Sequence, residues 1–159
     1  MQQGAVDNSL VFVIVPSYNE ATVIATTLQP LVQNGYSVVL VDDASTDNTE
    51  GAVQHLPVYY IKHDINLGQG AAIQTGLAFA LQQNAWCAVT FDADGQHDYQ
   101  QIPELLKPLF DDEADVVMGS RFIKTESQKE IPPIRRLVLR TAIVINGLLT
   151  GLWLTDAHN

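Results

Sequence analysis

Cysteine occurs once in the 159 residues, at Cys87, so no internal disulfide can form and nothing calls for an oxidising compartment. In its apolar surroundings before Phe91 the thiol reads as a small buried hydrophobe. Basic residues are scarce as well: 8 Lys+Arg stand against 18 Asp+Glu, a formal net charge of −10. That balance argues against a nucleic-acid binder, which needs basic surface to meet phosphates. Charged residues make up only 16% of the chain and hydrophobic ones 47%, a composition that excludes a disordered polymer and supplies the core of one domain. Met1 to Ser9 has neither a basic n-region nor an apolar h-region, so no signal peptide is readable there. Internal repeats and low-complexity linkers are also lacking.

What is present is an alternation of apolar, β-branched runs with helical patterns. Leu10 to Val15, Val38 to Val41, Val58 to Ile61, Ala88 to Phe91 and Val116 to Met118 predict five strands, the first ended by Pro16. Between them, Ala21 to Gln33, a short segment opened by Ser45-Thr46-Asp47, Gly68 to Gln83 and Ile102 to Phe110 predict helices. Pro30 breaks or resets the first helix near its end, whereas Pro103 sits in a first turn that tolerates proline. The βαβα order predicts an open, mostly parallel α/β sheet with helices on both faces. Ligands of such sheets sit beyond the carboxyl ends of the strands. The polar clusters fall at those ends, after Val15, Val41, Phe91 and Met118, as one shared site requires.

The cluster with the most chemistry is Asp92-Ala93-Asp94-Gly95-Gln96-His97, directly after a predicted buried strand. Two carboxylates two residues apart make a hard oxygen-ligand site suited to Mg²⁺ or Mn²⁺, with Gln96 adding a carbonyl oxygen. Two aspartates alone would repel a diphosphate, and a cation between them reverses the sign. A strand-end turn with a capping Asp accounts for the same residues without metal, and His97 reads equally as a phosphate contact or a helix cap. In Pro16-Ser17-Tyr18-Asn19-Glu20, Tyr18 offers a ring for base stacking and Glu20 an acceptor for a base or ribose; a capped first turn explains the same pattern. Asp42-Asp43-Ala44-Ser45-Thr46-Asp47 puts two adjacent carboxylates at a strand end, where each costs desolvation unless satisfied. Asn66-Leu67-Gly68-Gln69-Gly70 allows close backbone approach and aims a helix N-terminus at an anion, though it matches neither the dinucleotide fingerprint nor a P-loop. In Gly119-Ser120-Arg121 the arginine can grip phosphate oxygens as a fork.

These five motifs, in this order between Leu10 and Phe122, resemble the family 2 glycosyltransferases of the GT-A fold. Within that family the chain is most similar to the dolichol-phosphate mannose synthase branch and related bacterial polyprenyl-phosphate enzymes. The resemblance implies a metal-dependent, inverting transfer of a sugar from a GDP- or UDP-sugar to an acceptor, with polyprenyl phosphate as the expected one. It implies that Pro16, Tyr18, Glu20, Asp42, Asp43, Gly70 and Ala93 line the nucleotide pocket, Asp42 being the less certain neighbour of Asp43. It implies further that Asp92 and Asp94, helped by Gln96, hold Mg²⁺ or Mn²⁺ on the diphosphate, and that Arg121 faces the diphosphate or an acceptor phosphate. Gln69 and Gln74 stand where many relatives carry a basic residue.

Residues 1–125 are expected to form the nucleotide-sugar core and residues 126–159 a polar loop followed by an apolar helix. The uncharged run Thr141 to Leu154, 14 residues long, is short for a membrane span; beside Arg135, Arg136 and Arg140 it suits a buried helix or one lying at a membrane surface. A cytoplasmic enzyme, peripheral on the membrane face, is the expectation. The ending at Asn159 reads as a catalytic-domain fragment or a short form, with part of the acceptor site beyond it. Two other functions fit parts of the pattern: a sugar nucleotidyltransferase, which normally needs a glycine-rich basic loop after the first strand, and a truncated nucleotide-binding module without turnover.

Overall fold

A computed structural model describes residues 7–95 and 98–119 of the chain. The chain divides into two compact units, residues 1–102 and 103–159. In the first, four strands, β1 (Val11–Ser17), β2 (Ser37–Asp42), β3 (Tyr59–Lys62) and β4 (Cys87–Thr90), form one sheet in the order β3-β2-β1-β4 with every pairing parallel. Helices α1 (Ile24–Gln33), α2 (Thr49–Val53) and α3 (Gln69–Gln82) connect them, so the expected open α/β sheet is the observed one.

Every residue of β1 is buried, as befits a central strand covered on both faces. Strand alternation turns Phe12, Ile14, Val39 and Val41 to one face, where they pack with Ala72 and Ala80 of α3. The small residues Ala72, Gly76 and Ala80 recur every four positions and let that helix lie close to the sheet. An alanine Cβ built on Gly76 would stand 2.3 Å from Ile14 Cγ2. Right-handed crossovers place α1 and α2 on the opposite face. There α1 buries Ile24, Thr27, Leu28 and Leu31, a stripe at helical spacing.

Local chemistry sets the ends of the helices. Gly35, at φ 81°, follows α1 and lets the Tyr36 amide reach back to the Leu31 carbonyl, a Schellman closure. Asn84, at φ 57°, does the same after α3, where the Ala85 amide bonds the Ala80 carbonyl.

Four expectations are corrected. Strand β1 does not stop at Pro16: it continues to Ser17, with Pro16 opposite Val41 and Ser17 opposite Asp42. Pro30 does not break α1, which runs on to Gln33; the Thr26 carbonyl left without an amide lies on the exposed side of the helix. Val116 to Met118 form no strand, and the backbone there has no ladder partner among the described residues, with Val116 75% and Met118 56% exposed. Helix α1 also starts three residues later than the periodicity predicts, because the Glu20 carbonyl takes the amides of both Val23 and Ile24 in a preceding turn.

In the second unit the described structure is the body of α4 (Ile102–Phe110), closed by an i,i+4 pair between Lys107 and Asp111. No helix among the described residues is long and apolar enough to cross a membrane. The expected loop and helix of residues 126–159 lie outside the described residues.

Candidate active site

In the order β3-β2-β1-β4, chain progression reverses between β1 and β4, and a crevice opens at the carboxyl ends of the strands beside such a switch point. A cavity of about 490 Å³ lies there. The end of β1 lines it with Pro16 and Ser17, the turn after it with Tyr18 and Glu20, the segment following β4 with Asp92, Ala93 and Asp94, and the entry to α3 with Asn66, Gly68, Gln69 and Ala72; Asp43, after β2, completes the wall. Tyr18 is half exposed, a ring face open to a ligand.

The loops holding these groups are tied to one another. The Asn19 amide donates to Ser45 Oγ (2.9 Å), Asn19 Oδ1 accepts from the Thr46 amide (2.8 Å), and the Ala21 amide donates to Asp47 Oδ2 (2.9 Å). Asn19 and Ala44 both sit in the left-handed region, at φ 60° and 61°, which turns the chain sharply at each junction. On the other side, Thr27 Oγ1 of α1 donates to the Ala93 carbonyl at 3.2 Å and braces the loop between Asp92 and Asp94. Gly95 follows at φ 75°, a turn that favours glycine.

Asp42 and Asp43 are both buried, but adjacent residues at a strand end face opposite ways and their surroundings differ. Asp42 lies outside the cavity lining. Its carboxylate accepts from the Ser45 amide (2.7 Å) and the Tyr60 hydroxyl (2.5 Å), with Lys62 Nζ at 3.6 Å. Burial disfavours the charge of Asp42, but the bonds from Ser45 and Tyr60 and the Lys62 ammonium outweigh it and hold the carboxyl below its ordinary value. Burial and the same bond push Tyr60 well up. Asp43, by contrast, lines the cavity. Its Oδ1 accepts from His63 Nδ1 (2.7 Å) and the Leu67 amide (2.9 Å), its Oδ2 from the Gly68 amide (2.7 Å). Burial raises its pKa, and the donors Leu67, His63 and Gly68 more than offset that, so it too stays ionised below its ordinary value.

Of the residues singled out from sequence, Pro16, Tyr18, Glu20, Asp43, Asp92, Ala93 and Asp94 share this cavity. Asp42 and Gly70 do not line it; Gly70 faces open space, with nothing within 4 Å of an added Cβ. Gln96 and Arg121 lie outside the described residues. Sequence reasoning passed over His63, named Ser17 and Asn66 only as members of their motifs without a role in the pocket, and saw in Gln69 a missing basic residue. The Gln69 amide instead donates to Asp92 Oδ1 at 3.2 Å, tying the start of α3 to the aspartate loop.

Glu20, Asp43, Asp92 and Asp94 are acidic and no lysine or arginine is among the described lining residues, so a cation would favour the entry of a polyanion past these carboxylates. Asp92 and Asp94 supply hard oxygen donors from one loop, and no group of three or more His, Cys, Asp or Glu side chains gathers around a metal position among the described residues. That donor set fits Mg²⁺ or Mn²⁺, which keep waters and take phosphate oxygens beside one or two carboxylates.

Known proteins resemble this chain in sequence and in fold. A UDP-N-acetylglucosamine--dolichyl-phosphate N-acetylglucosaminyltransferase of Methanococcus voltae is 32% identical over 96% of this chain and 68% of its own length. An undecaprenyl-phosphate mannosyltransferase of Micrococcus luteus is 31% identical over 92% of this chain and 62% of its own. The chain thus spans about two thirds of the length of these relatives. Among solved structures, glucosyl-3-phosphoglycerate synthase from Mycobacterium tuberculosis, in complex with Mn²⁺ and UDP-glucose, matches with a TM-score of 0.55 at 20% identity, over 92% of this chain and 57% of that one, a likeness of fold. The family model for glycosyl transferase family 2 matches residues 12–157, and the chain belongs to that family.

Proposed function

We propose that this chain carries the donor half of a glycosyltransferase that moves a sugar from a nucleoside diphosphate sugar to a polyprenyl phosphate, with inversion at the anomeric carbon. The observation that carries the reading is the convergence of Tyr18, Asp43 and the Asp92/Asp94 pair on one acidic crevice at the switch point of the sheet. The M. tuberculosis structure holds Mn²⁺ with UDP-glucose, and the relatives take their names from dolichyl or undecaprenyl phosphate, which supports donor and acceptor class alike.

In this reading Tyr18 stacks on the base, with Pro16 and Glu20 beside the nucleoside, and Asp43 accepts a base N–H. Asp92 and Asp94 hold a divalent cation, which when bound neutralises charge gathering on the departing diphosphate and so favours the transition state over the ground state. An acceptor phosphate is already ionised and needs no strong general base: its oxygen forms the new bond to the anomeric carbon as the bond to the diphosphate breaks, and the nucleoside diphosphate leaves. From the family resemblance, Gln96 adds a metal ligand and Arg121 a phosphate contact. A lipid-phosphate acceptor places the enzyme at the cytoplasmic face of a membrane.

Calorimetry with UDP and GDP tests the donor site. Binding in Mn²⁺ and its weakening by EDTA are expected, and so is the loss of metal-assisted binding in Asp94→Ala with the fold intact. Equal affinity with and without metal would refute the cation's role. Transfer of labelled sugar to polyprenyl phosphate tests the reaction; release of pyrophosphate from a nucleoside triphosphate would point to nucleotidyl transfer instead.

A further inference from the structure

His63 belongs to none of the motifs and does not line the cavity, yet it joins two of the segments that build it, the end of β2 and helix α3. It follows β3 directly, and its amide donates to the Asp42 carbonyl at 2.9 Å, which fixes its backbone beside the end of β2. Its ring is nearly buried and uses both nitrogens. Nδ1 lies 2.7 Å from Asp43 Oδ1, and Nε2 lies 2.9 Å from Thr75 Oγ1 on α3. With the proton on Nδ1, Nε2 accepts from the threonine hydroxyl, so helix α3 orients the ring and the ring orients the carboxylate.

Asp43 is the group so oriented. A carboxylate offers about four acceptor positions. Both positions on Oδ1 are taken, by His63 and the Leu67 amide, and one on Oδ2 is taken by the Gly68 amide. One position on Oδ2 remains on a residue that lines the cavity. His63 is the one side-chain donor to this carboxylate among the described residues; the other two donors are backbone amides of the loop that enters α3. Without it, Asp43 would keep two amide donors and lose the bond that opposes rotation about its carboxyl axis.

We propose that His63 is a positioning residue for nucleotide recognition: acting through Asp43, it aims the remaining acceptor position at the base of the donor and holds Asn66, Gly68 and Gln69 in the cavity wall. This rests on the reading of the cavity as a nucleoside diphosphate site. The chemistry favours bases with an imide or amide N–H, as uracil and guanine have, because the position left open is an acceptor. His63 itself does not touch the nucleotide.

The test is titration of UDP and of GDP, each with Mn²⁺, into the 159-residue chain and into His63→Ala, His63→Gln and His63→Asn, with the melting temperature of each recorded alone. An asparagine amide nitrogen stands close to where Nδ1 was and can still donate to Asp43. That of glutamine stands nearer the place of Nε2 and cannot do so without displacing the backbone. Loss of a hydrogen bond to a buried charge is expected to weaken nucleotide binding about tenfold or more in the alanine and glutamine variants. Asparagine is expected to recover affinity to within a few-fold of the parent. A role in packing alone predicts asparagine no better than glutamine at equal melting temperature, and that result overturns the proposal. So does parental affinity in all three variants. Should the alanine variant not fold, asparagine against glutamine decides in the same way. Absence of binding by the parent chain itself overturns the nucleotide reading, and this proposal with it, and is recognised before any variant is compared.

Discussion

Replacing Gly76 by alanine tests how tightly α3 is seated on the sheet. The added Cβ would lie 2.3 Å from Ile14 Cγ2, 3.4 Å from Ile14 Cβ and 3.3 Å from Val41 Cγ2. Carbon atoms rest comfortably at about 3.5–4.0 Å, so helix or strand must give by more than an ångström. Neither has slack: Ile14 and Val41 are fully buried in the central strands, and neighbouring Ala72 and Ala80 press against the same face. Overpacking of this kind costs about 1–3 kcal/mol. Alanine recovers about 1 kcal/mol through its better helix propensity. An approach of 2.3 Å puts the cost at the upper end of that range, so the net expectation is a loss of about 2 kcal/mol, seen by calorimetry or circular dichroism as a melting temperature lower by roughly 4–8 °C. Ile14→Ala removes the methyl that clashes, so the double variant should be less destabilised than the sum of the two singles by about 0.5–3 kcal/mol. An unchanged or raised melting temperature in Gly76→Ala would refute the close seating.

Two further perturbations probe titrating groups shifted by their surroundings. Burial pushes the Cys87 thiol up to about 11, so at pH 8 only about one molecule in a thousand carries the thiolate; a disulfide reagent should label the native chain about two orders of magnitude more slowly than the urea-unfolded chain, and equal rates would contradict this. The Asp42 carboxyl is held below its ordinary value in part by the Tyr60 hydroxyl, so the unfolded chain binds more protons than the folded one as pH falls through this range. The stabilising bond is therefore present in full above the unfolded value and is lost as pH drops through the lower folded one. Tyr60→Phe should be less stable than the parent by urea titration at pH 6, with the gap closing below about pH 4; a gap that stays constant down to pH 3 would refute the coupling.

Much of this was readable in the order of residues because the fold is built from repeated, strongly patterned units. The buried runs Val11 to Val15 and Val38 to Val41 could hardly be anything but central parallel strands. The end of α1 at Gln33 was read correctly, and the left-handed turn at Gly35 is its backbone cause. Val116 to Met118 misled because an apolar run fits a strand by composition, whereas a strand exists only where a neighbour supplies the ladder. The pair Asp42-Asp43 was legible as important and not as two roles, since strand alternation separates them and the direction of that alternation is set by the sheet. His63 and Thr27 were invisible for another reason. Each acts on a residue far along the chain, Thr27 on the Ala93 carbonyl and His63 on Asp43, and a single polar residue after a strand or within a helix carries no local signature of such a partner.

The cross-links between the turn after β1 and the turn after β2 bear on how a ligand would be received. Asn19, Ala21, Ser45, Thr46 and Asp47 bind the two turns into one piece although about 26 residues separate them in sequence. Their conformational entropy is given up when the chain folds, so a ligand stacking on Tyr18 meets a wall that is already ordered. The opposite wall is braced as well, the Thr27 hydroxyl and the Gln69 amide each reaching the aspartate loop from a different helix, so a ligand would meet order on both sides of the crevice.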